Sequence, residues 1–467
     1  MSDHRPGRWA LVGARAVAGA AVAAGVVVAV VAAVAVPWPG VARSPVTVEA
    51  TPAPDASVVA CAGPLLALGR DASQAGLLAV AAPQQVTVGV APGDPSATSS
   101  RLSVEGVSGE HTALTFTAPP AGDAPADLAA SGSAQVEAED LRGLAVSGCR
   151  PPLPETWLVG GATTTGSSDL VVLSNPGQVP STVQITVYGA KGAQTSPGGS
   201  GVVVPPGSQR VVPLAGLLLG EESPVVRVTA TGAPVQATLQ SSLTRTLVPG
   251  GVEQIGPAPG PASDVVIPGL LVPASATGSP GDVTTVLRLL SPAGGGSATI
   301  TVAAVGGAAV STDTIPLTES VPAQVDLSGL AAGVYTVSVT ADQPIVAAAW
   351  QATGLGAGSD FAWYAAAPEV SGDTVVAIPA GPSPLLVLAN ASSQSATVTL
   401  QIPGATPVPA TVPARGSASI PLTPGVVAVL TTDAPVRAGI SYSADGALSS
   451  LPVWPAQALS STIVVAP

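Results

Sequence analysis

Residues 157–188, WLVGGATTTGSSDLVVLSNPGQVPSTVQITVY, hold the pattern on which the reading of the whole chain turns. Two runs, 169–174 and 182–188, are filled by Val, Leu, Ile and Thr, side chains that suit a pleated, half-buried surface. Asn175, Pro176 and Gly177 between them supply the backbone conformations of a turn. The stretch predicts two strands joined by that turn.

Echoes of the unit recur downstream. Around Pro234 the chain reads VRVTATGAPVQA, around Pro344 TVSVTADQPIVA, and around Pro435 AVLTTDAPVRA. Each is an alternating strand that runs into a short turn, after which proline and a β-branched residue open the next strand. LVVLSNPG (170–177), LRLLSPAG (287–294) and LLVLANAS (385–392) correspond in turn. PGSQRVVPL (206–214) corresponds to RGSASIPL (415–422), with Val325, Asp326 and Leu327 at the matching place. Three marker groups in one order indicate duplication, and the spacing suits one β-sandwich per repeat rather than a tight solenoid. The expected modules are residues 156–261, 262–370 and 371–467, set in a row, with GPAPGPAS (256–263) as the first joint.

Composition agrees with an all-β chain. Of 467 residues 46% are hydrophobic, mostly Ala and Val, and only 3% are aromatic. Gly (53) and Pro (49) are abundant, yet the ordered Val- and Thr-rich runs between them argue for many short strands. The formal net charge is −13, and Lys191 is the sole lysine. Nucleic acid is not an expected partner, because its binding needs clustered cations.

The N-terminal part reads differently. Residues 16–36 carry no charge, and as a helix at ~1.5 Å per residue they span ~31 Å, the thickness of a bilayer core. Arg5, Arg8 and Arg15 precede the run, so residues 1–15 are expected in the cytoplasm and the remainder outside, with Trp38 at the interface. A cleaved signal peptide competes, since Ala33, Val34 and Ala35 fit a small-x-small site. The length of the run favours an uncleaved anchor. Residues 37–57 read as a Pro-rich stalk, and 58–155 as a β region that does not match the later modules well. Cys61 and Cys149 lie in this region on an exported chain and are expected to form a disulfide, with a lipid-modified Cys61 as the sharper alternative. No helix is expected after the anchor beyond a single turn at 138–144.

Chemistry is scarce. The exported part has one histidine, His111, with no nucleophile-elbow glycines around it, and it reads as a solvated surface residue. No His/Cys set or Asp-rich loop suggests a metal or cofactor. Asp342, Asp360, Asp373 and Asp433 read as isolated turn residues that bond locally. Paired glycosidase carboxylates remain open, although few aromatics are present to grip a sugar. Residues 350–364, WQATGLGAGSDFAWY, are the exception. Trp363 and Trp454 each lie 19 residues beyond a marker proline, where the first module has Glu253. Both are expected to pack structurally at module ends, which leaves Trp350 and Tyr364 as candidate contacts with a partner.

LRGLAVSGC (141–149), TWLVGGAT (156–163), LVVLSNPG, VQITVYG (183–189) and DFAW (360–363) together resemble an uncharacterised actinobacterial family of membrane-anchored exported proteins, a domain of unknown function. The resemblance implies a single N-terminal anchor and an envelope location, and brings no functional residues. The fold expectation is all-β: one N-terminal transmembrane helix followed by tandem β-sandwich-like modules. The functional expectation is a non-enzymatic structural or interaction protein of the cell envelope. Its partners would be the lipid bilayer through the helix and another envelope protein or wall polymer. A glycan- or wall-ligand-binding module is the alternative, with a hydrolase behind it.

Overall fold

A computed structural model of the chain describes residues 7–35, 48–50, 54–69, 77–109, 112–276, 282–455 and 463–465. The expectations for His111, Trp38 and most of the stalk lie outside those residues. One unit comprises residues 1–52 and 461–467. It contains the helix Gly7–Ala35, in which Gly13–Val34 is long and apolar enough to cross a membrane. A short antiparallel pair, Val48–Ala50 with Ile463–Val465, belongs to the same unit.

The second unit, residues 53–460, is built of strands. In the first repeat Val225–Gly232 lies between Glu155–Val159 and Ser181–Gly189, forming one sheet. Gln236–Arg245 lies between Leu170–Asn175 and Val248–Ile255, forming the other. The chain steps from sheet to sheet at Ala233, Pro234 and Val235, where a residue without an N–H leaves no donor unpaired. In the second and third repeats the same step occurs without a break. Gly333–Ala352 pairs with Ala262–Val272 and Gly296–Ala304 before Pro344, then with Thr285–Leu290 and Phe361–Ala365 after it. Val426–Ala444 does likewise about Pro435, with Glu369–Ile378 and Ala396–Gln401, then Leu385–Ala389 and Ala447–Pro452. The crossover is thus one continuous strand in the second and third repeats and two successive strands in the first, and in all three a last strand folds back on its second half.

The region before the repeats departs from expectation, because it has the same core. Leu114–Ala118 lies between Ser57–Ala60 and Thr98–Arg101, and Leu128–Glu137 between Gln85–Val90 and Arg142–Cys149. Residues 119–127 make the sheet-to-sheet step here, and Leu65–Leu68 and Leu78–Ala82 are inserted between the first and second core strands. That longer step and the insertion hide the repeat from a proline-anchored comparison. Residues 138–144 form a hairpin turn and the start of the last strand, not a helical turn. Cys61 and Cys149 are bridged. The disulfide ties the same two strand ends that Ala60 and Arg150 join by reciprocal backbone bonds of 2.9 and 3.0 Å.

The four sandwiches do not lie in a row. Their last strands are buried almost throughout and pack in a closed cycle: N-terminal on first, first on second, second on third, third on N-terminal. Each core is completed by the last strand of the next sandwich. Phe361 and Trp363 of the second repeat enter the core of the first, and Leu448 of the third enters that of the second. Leu144 and Val146 of the N-terminal sandwich enter the third, and Val252 of the first enters the N-terminal one. With so few large side chains per module, sharing them is how each core is filled.

One turn is locally strained. Arg245 pairs with Val248, which leaves Thr246 and Leu247 as a two-residue hairpin loop with φ of 47° and 70°. Such loops favour Asn-Gly, since left-handed backbone costs an ordinary residue roughly 1–2 kcal/mol. Leu247 is 91% exposed and gains no burial in return. The double substitution T246N/L247G is expected to raise stability by about 1 kcal/mol in chemical denaturation. A loss of stability would contradict this account of the turn.

Candidate functional site at the centre of the ring

Asp360 stands immediately before the last strand of the second repeat and is fully buried. Its Oδ2 accepts the backbone N–H of Leu144 at 2.9 Å and of Leu448 at 3.1 Å, and its Oδ1 accepts that of Val252 at 3.2 Å. These three residues belong to the last strands of the three other sandwiches. The amide of Phe361 also donates to it. One carboxylate thus fastens the whole ring. The sequence expectation of locally bonded turn residues is corrected here: Asp342, Asp373 and Asp433 accept from Ser297, Thr431 and Thr397, each distant in sequence but within the same repeat, whereas Asp360 reaches three other sandwiches.

Two glycines permit the approach. Gly143 and Gly251 have φ of +139° and +125°, and a Cβ on either would stand 2.5 or 2.7 Å from Oδ1 of Asp360. An alanine at either position meets both the backbone penalty and the carboxylate.

Glu253 of the first repeat lies beside this centre and is also fully buried. Ser449 Oγ donates to its two oxygens at 2.8 and 2.9 Å, and the amides of Gln254 and Val146 reach Oε1 at 3.0 and 3.4 Å. Burial pushes Asp360 up to about 7, against the pull of its backbone amides. Burial also raises Glu253 well above the usual carboxylate range, and the charge of Asp360 adds to the effect. Asp169 is pushed up to about 7 and Asp127 to about 6, in both cases chiefly by burial.

Other polar side chains fasten the joints in the same way. Arg288 of the second repeat donates to the carbonyls of Gly161, Pro224 and Glu222 in the first, at 2.9, 2.8 and 3.1 Å. Gln240 bonds both the N–H and the C=O of Leu66 in the N-terminal sandwich, at 2.9 and 2.7 Å. Asp127 accepts the amide of Val375 at 3.0 Å, and Arg150 donates to the carbonyl of Pro452 at 2.6 Å. Buried polar and charged groups are thus spent on backbone groups of a neighbouring sandwich, which supplies those backbone groups with partners.

The residues expected to matter fall in three places. Trp363 is buried with the Arg288 guanidinium 4.6 Å from its ring centroid. Trp454 is half-buried beyond the last strand of the third repeat, under Arg150 at 5.2 Å. The two tryptophans are not equivalent: Trp363 pairs with Trp350, whereas the matching strand pair in the third repeat is Ser450 with Ser441. Counting from the proline fails because the hairpin turn spans 353–360 in one repeat and 445–446 in the other. Tyr364 is buried in the core of the second repeat, so it is not a partner contact; its strand is covered on both faces. Trp350 is partly open. Asp360 and Glu253 were missed as central residues. Their signal was a carboxylate inside an otherwise apolar run, DFAW and GGVEQI.

Residues 103–425 match a family model described as a family of unknown function (DUF5719). No curated protein matches the chain. Among solved structures, a "Biofilm associated protein - BSP domain" is 10% identical, over 91% of this chain and 100% of that one, with a TM-score of 0.14. A "tetra-tandem repeat in extending region of large adhesion protein" is 15% identical, over 79% and 90%, with a TM-score of 0.12.

Replacing Asp360 by Asn sets an NH2 group against backbone donors in a closed site. D360N is expected to lose ~3–5 kcal/mol in denaturant titration; a loss below 1 kcal/mol would remove Asp360 from its central role. The raised carboxylates also fix the sign of the pH dependence. Folded protein keeps protons that unfolded chain releases, so stability is fully present at low pH and falls as pH rises through about 6–7. Tm is expected to be higher at pH 5.5 than at pH 8, and the opposite order would contradict the assignment.

Proposed function

The chain belongs to this family of unknown function, DUF5719, so its role rests on its own residues, and we propose that it is a non-enzymatic, membrane-anchored structural or interaction protein of the cell envelope. The observation that carries the reading is the use of the buried ionisable groups. Asp360, Glu253, Arg288 and Arg150 are engaged with backbone or hydroxyl groups of neighbouring sandwiches. A carboxylate whose oxygens are filled by amide donors inside a packed core is a fastener, not a group free to take a proton from a substrate. The result is a rigid body of four interlocked sandwiches.

Two further features support the location. The apolar run Gly13–Val34 suits a single span, and the Cys61–Cys149 disulfide suits an oxidising compartment. The arginines before the run orient the helix N-in, with the body outside. Lipid is then the partner of the helix, and an envelope protein or a wall polymer the partner of the body.

The test uses cells expressing the full chain with an epitope after Pro467. The chain is expected to stay with membranes through an alkaline carbonate wash, and the epitope to be lost when protease is added to intact spheroplasts. An epitope protected from outside protease would overturn the orientation. Release by carbonate with a mature N-terminus at Val36 would replace the anchored form by a secreted one.

A further inference from the structure

Between the first and second repeats lies a cleft of about 220 Å³, lined by Leu243, Trp350, Phe361, Trp363, Arg245 and Arg288 among others. Its apolar wall is aromatic, with the Trp350 and Phe361 rings 6.2 Å apart at 41°. The cleft gathers three of the chain's few aromatic side chains at a place where one, Trp350, is partly open.

Two guanidinium groups line the same small space. Arg288 is 3% exposed, and its Nη atoms are bonded to carbonyls, but its Nε is buried without a partner. Arg245, across the cleft lining on the strained hairpin, has its Nη1 buried without a partner. The acidic residue of the lining, Glu222, is exposed and gives Arg288 its carbonyl. The nearby carboxylate of Asp169 is taken by the amides of Ala162 and Ser242, at 2.7 and 3.2 Å. Local positive charge with unfilled donors beside an aromatic wall, on a chain of net charge −13, is an arrangement for one kind of ligand.

We propose that this cleft binds a small aromatic carboxylate, its ring on Trp350 and Phe361 and its carboxylate on Arg245. Size agrees. An apolar cavity of ~150 Å³ holds benzene, so about 220 Å³ takes a ring with an attached carboxylate and little more. The planar fork of Arg suits a carboxylate bidentately, and the flat ring suits offset contact with the tryptophan. The proposal does not depend on the scaffold reading: Arg288 both lines the cleft and fastens the joint, but the ligand's carboxylate is placed on Arg245, which is not one of the fasteners. The carboxylate could be that of a free small acid or of the terminal residue of a peptide, and the test separates these sources.

The test uses the full chain in detergent micelles, with tryptophan fluorescence and calorimetry referenced to empty micelles. Benzoate is expected to bind saturably at one site, and neutral benzyl alcohol at least roughly tenfold more weakly. R245Q is expected to weaken benzoate roughly tenfold while leaving benzyl alcohol unchanged, and R415Q, in the third repeat, to bind as the wild type does. An N-acetylated tripeptide ending in Phe that binds more tightly than benzoate points to a chain terminus, and one that binds more weakly to a free acid. Equal binding of benzoate and benzyl alcohol overturns the proposal, as does the absence of binding by both benzoate and the tripeptide. Wild-type benzoate affinity in a folded R245Q protein, with folding checked by circular dichroism, overturns it as well.

Discussion

One carboxylate, that of Asp360, holds the backbones of three other sandwiches at 2.9, 3.1 and 3.2 Å. The geometry leaves little freedom. Three last strands must each bring an N–H to the same two oxygens, which requires Gly143 and Gly251 in backbone conformations that other residues rarely adopt. Burial opposes the charge and the amides support it, so the carboxylate titrates near neutrality instead of near 4. Removing the group would leave three buried N–H groups unpaired at once, a far larger change than the loss of an exposed ion pair.

This dependence follows from the composition. Ala, Val and Gly make thin, closely packed strands but supply little apolar area at a joint. The chain compensates in two ways. It shares its few large side chains, so that Phe361 and Trp363 of one repeat complete the core of another. It also seals joints with side chains that reach across to backbone, as Arg288, Gln240 and Asp127 do. Both devices make each sandwich incomplete without its neighbour, so the body is expected to unfold as one cooperative unit.

Much of the architecture was legible in the sequence. Strand alternation into Pro234, Pro344 and Pro435 marked where each repeat changes sheets, but the short turn expected there is found only in the first; in the other two a single strand runs through the proline. The apolar run after Arg15 marked the helix. What could not be read was non-local. The N-terminal sandwich hid behind its long step at 119–127, and the ring closure leaves no local pattern at all. Asp360 looked like any turn aspartate, because nothing nearby in sequence tells which strands come to meet it. Counting outward from a proline also failed once a hairpin changed length, which is why Trp454 was matched wrongly with Trp363.

The most direct test of the central claim is native-state amide exchange at Leu144, Val252 and Leu448, one residue from each sandwich fastened by Asp360. These amides are expected to exchange only through global unfolding, and in D360N to speed up together by the same factor. The account is contradicted if the three exchange at unrelated rates in the native protein, or if D360N accelerates one and leaves the other two as they were.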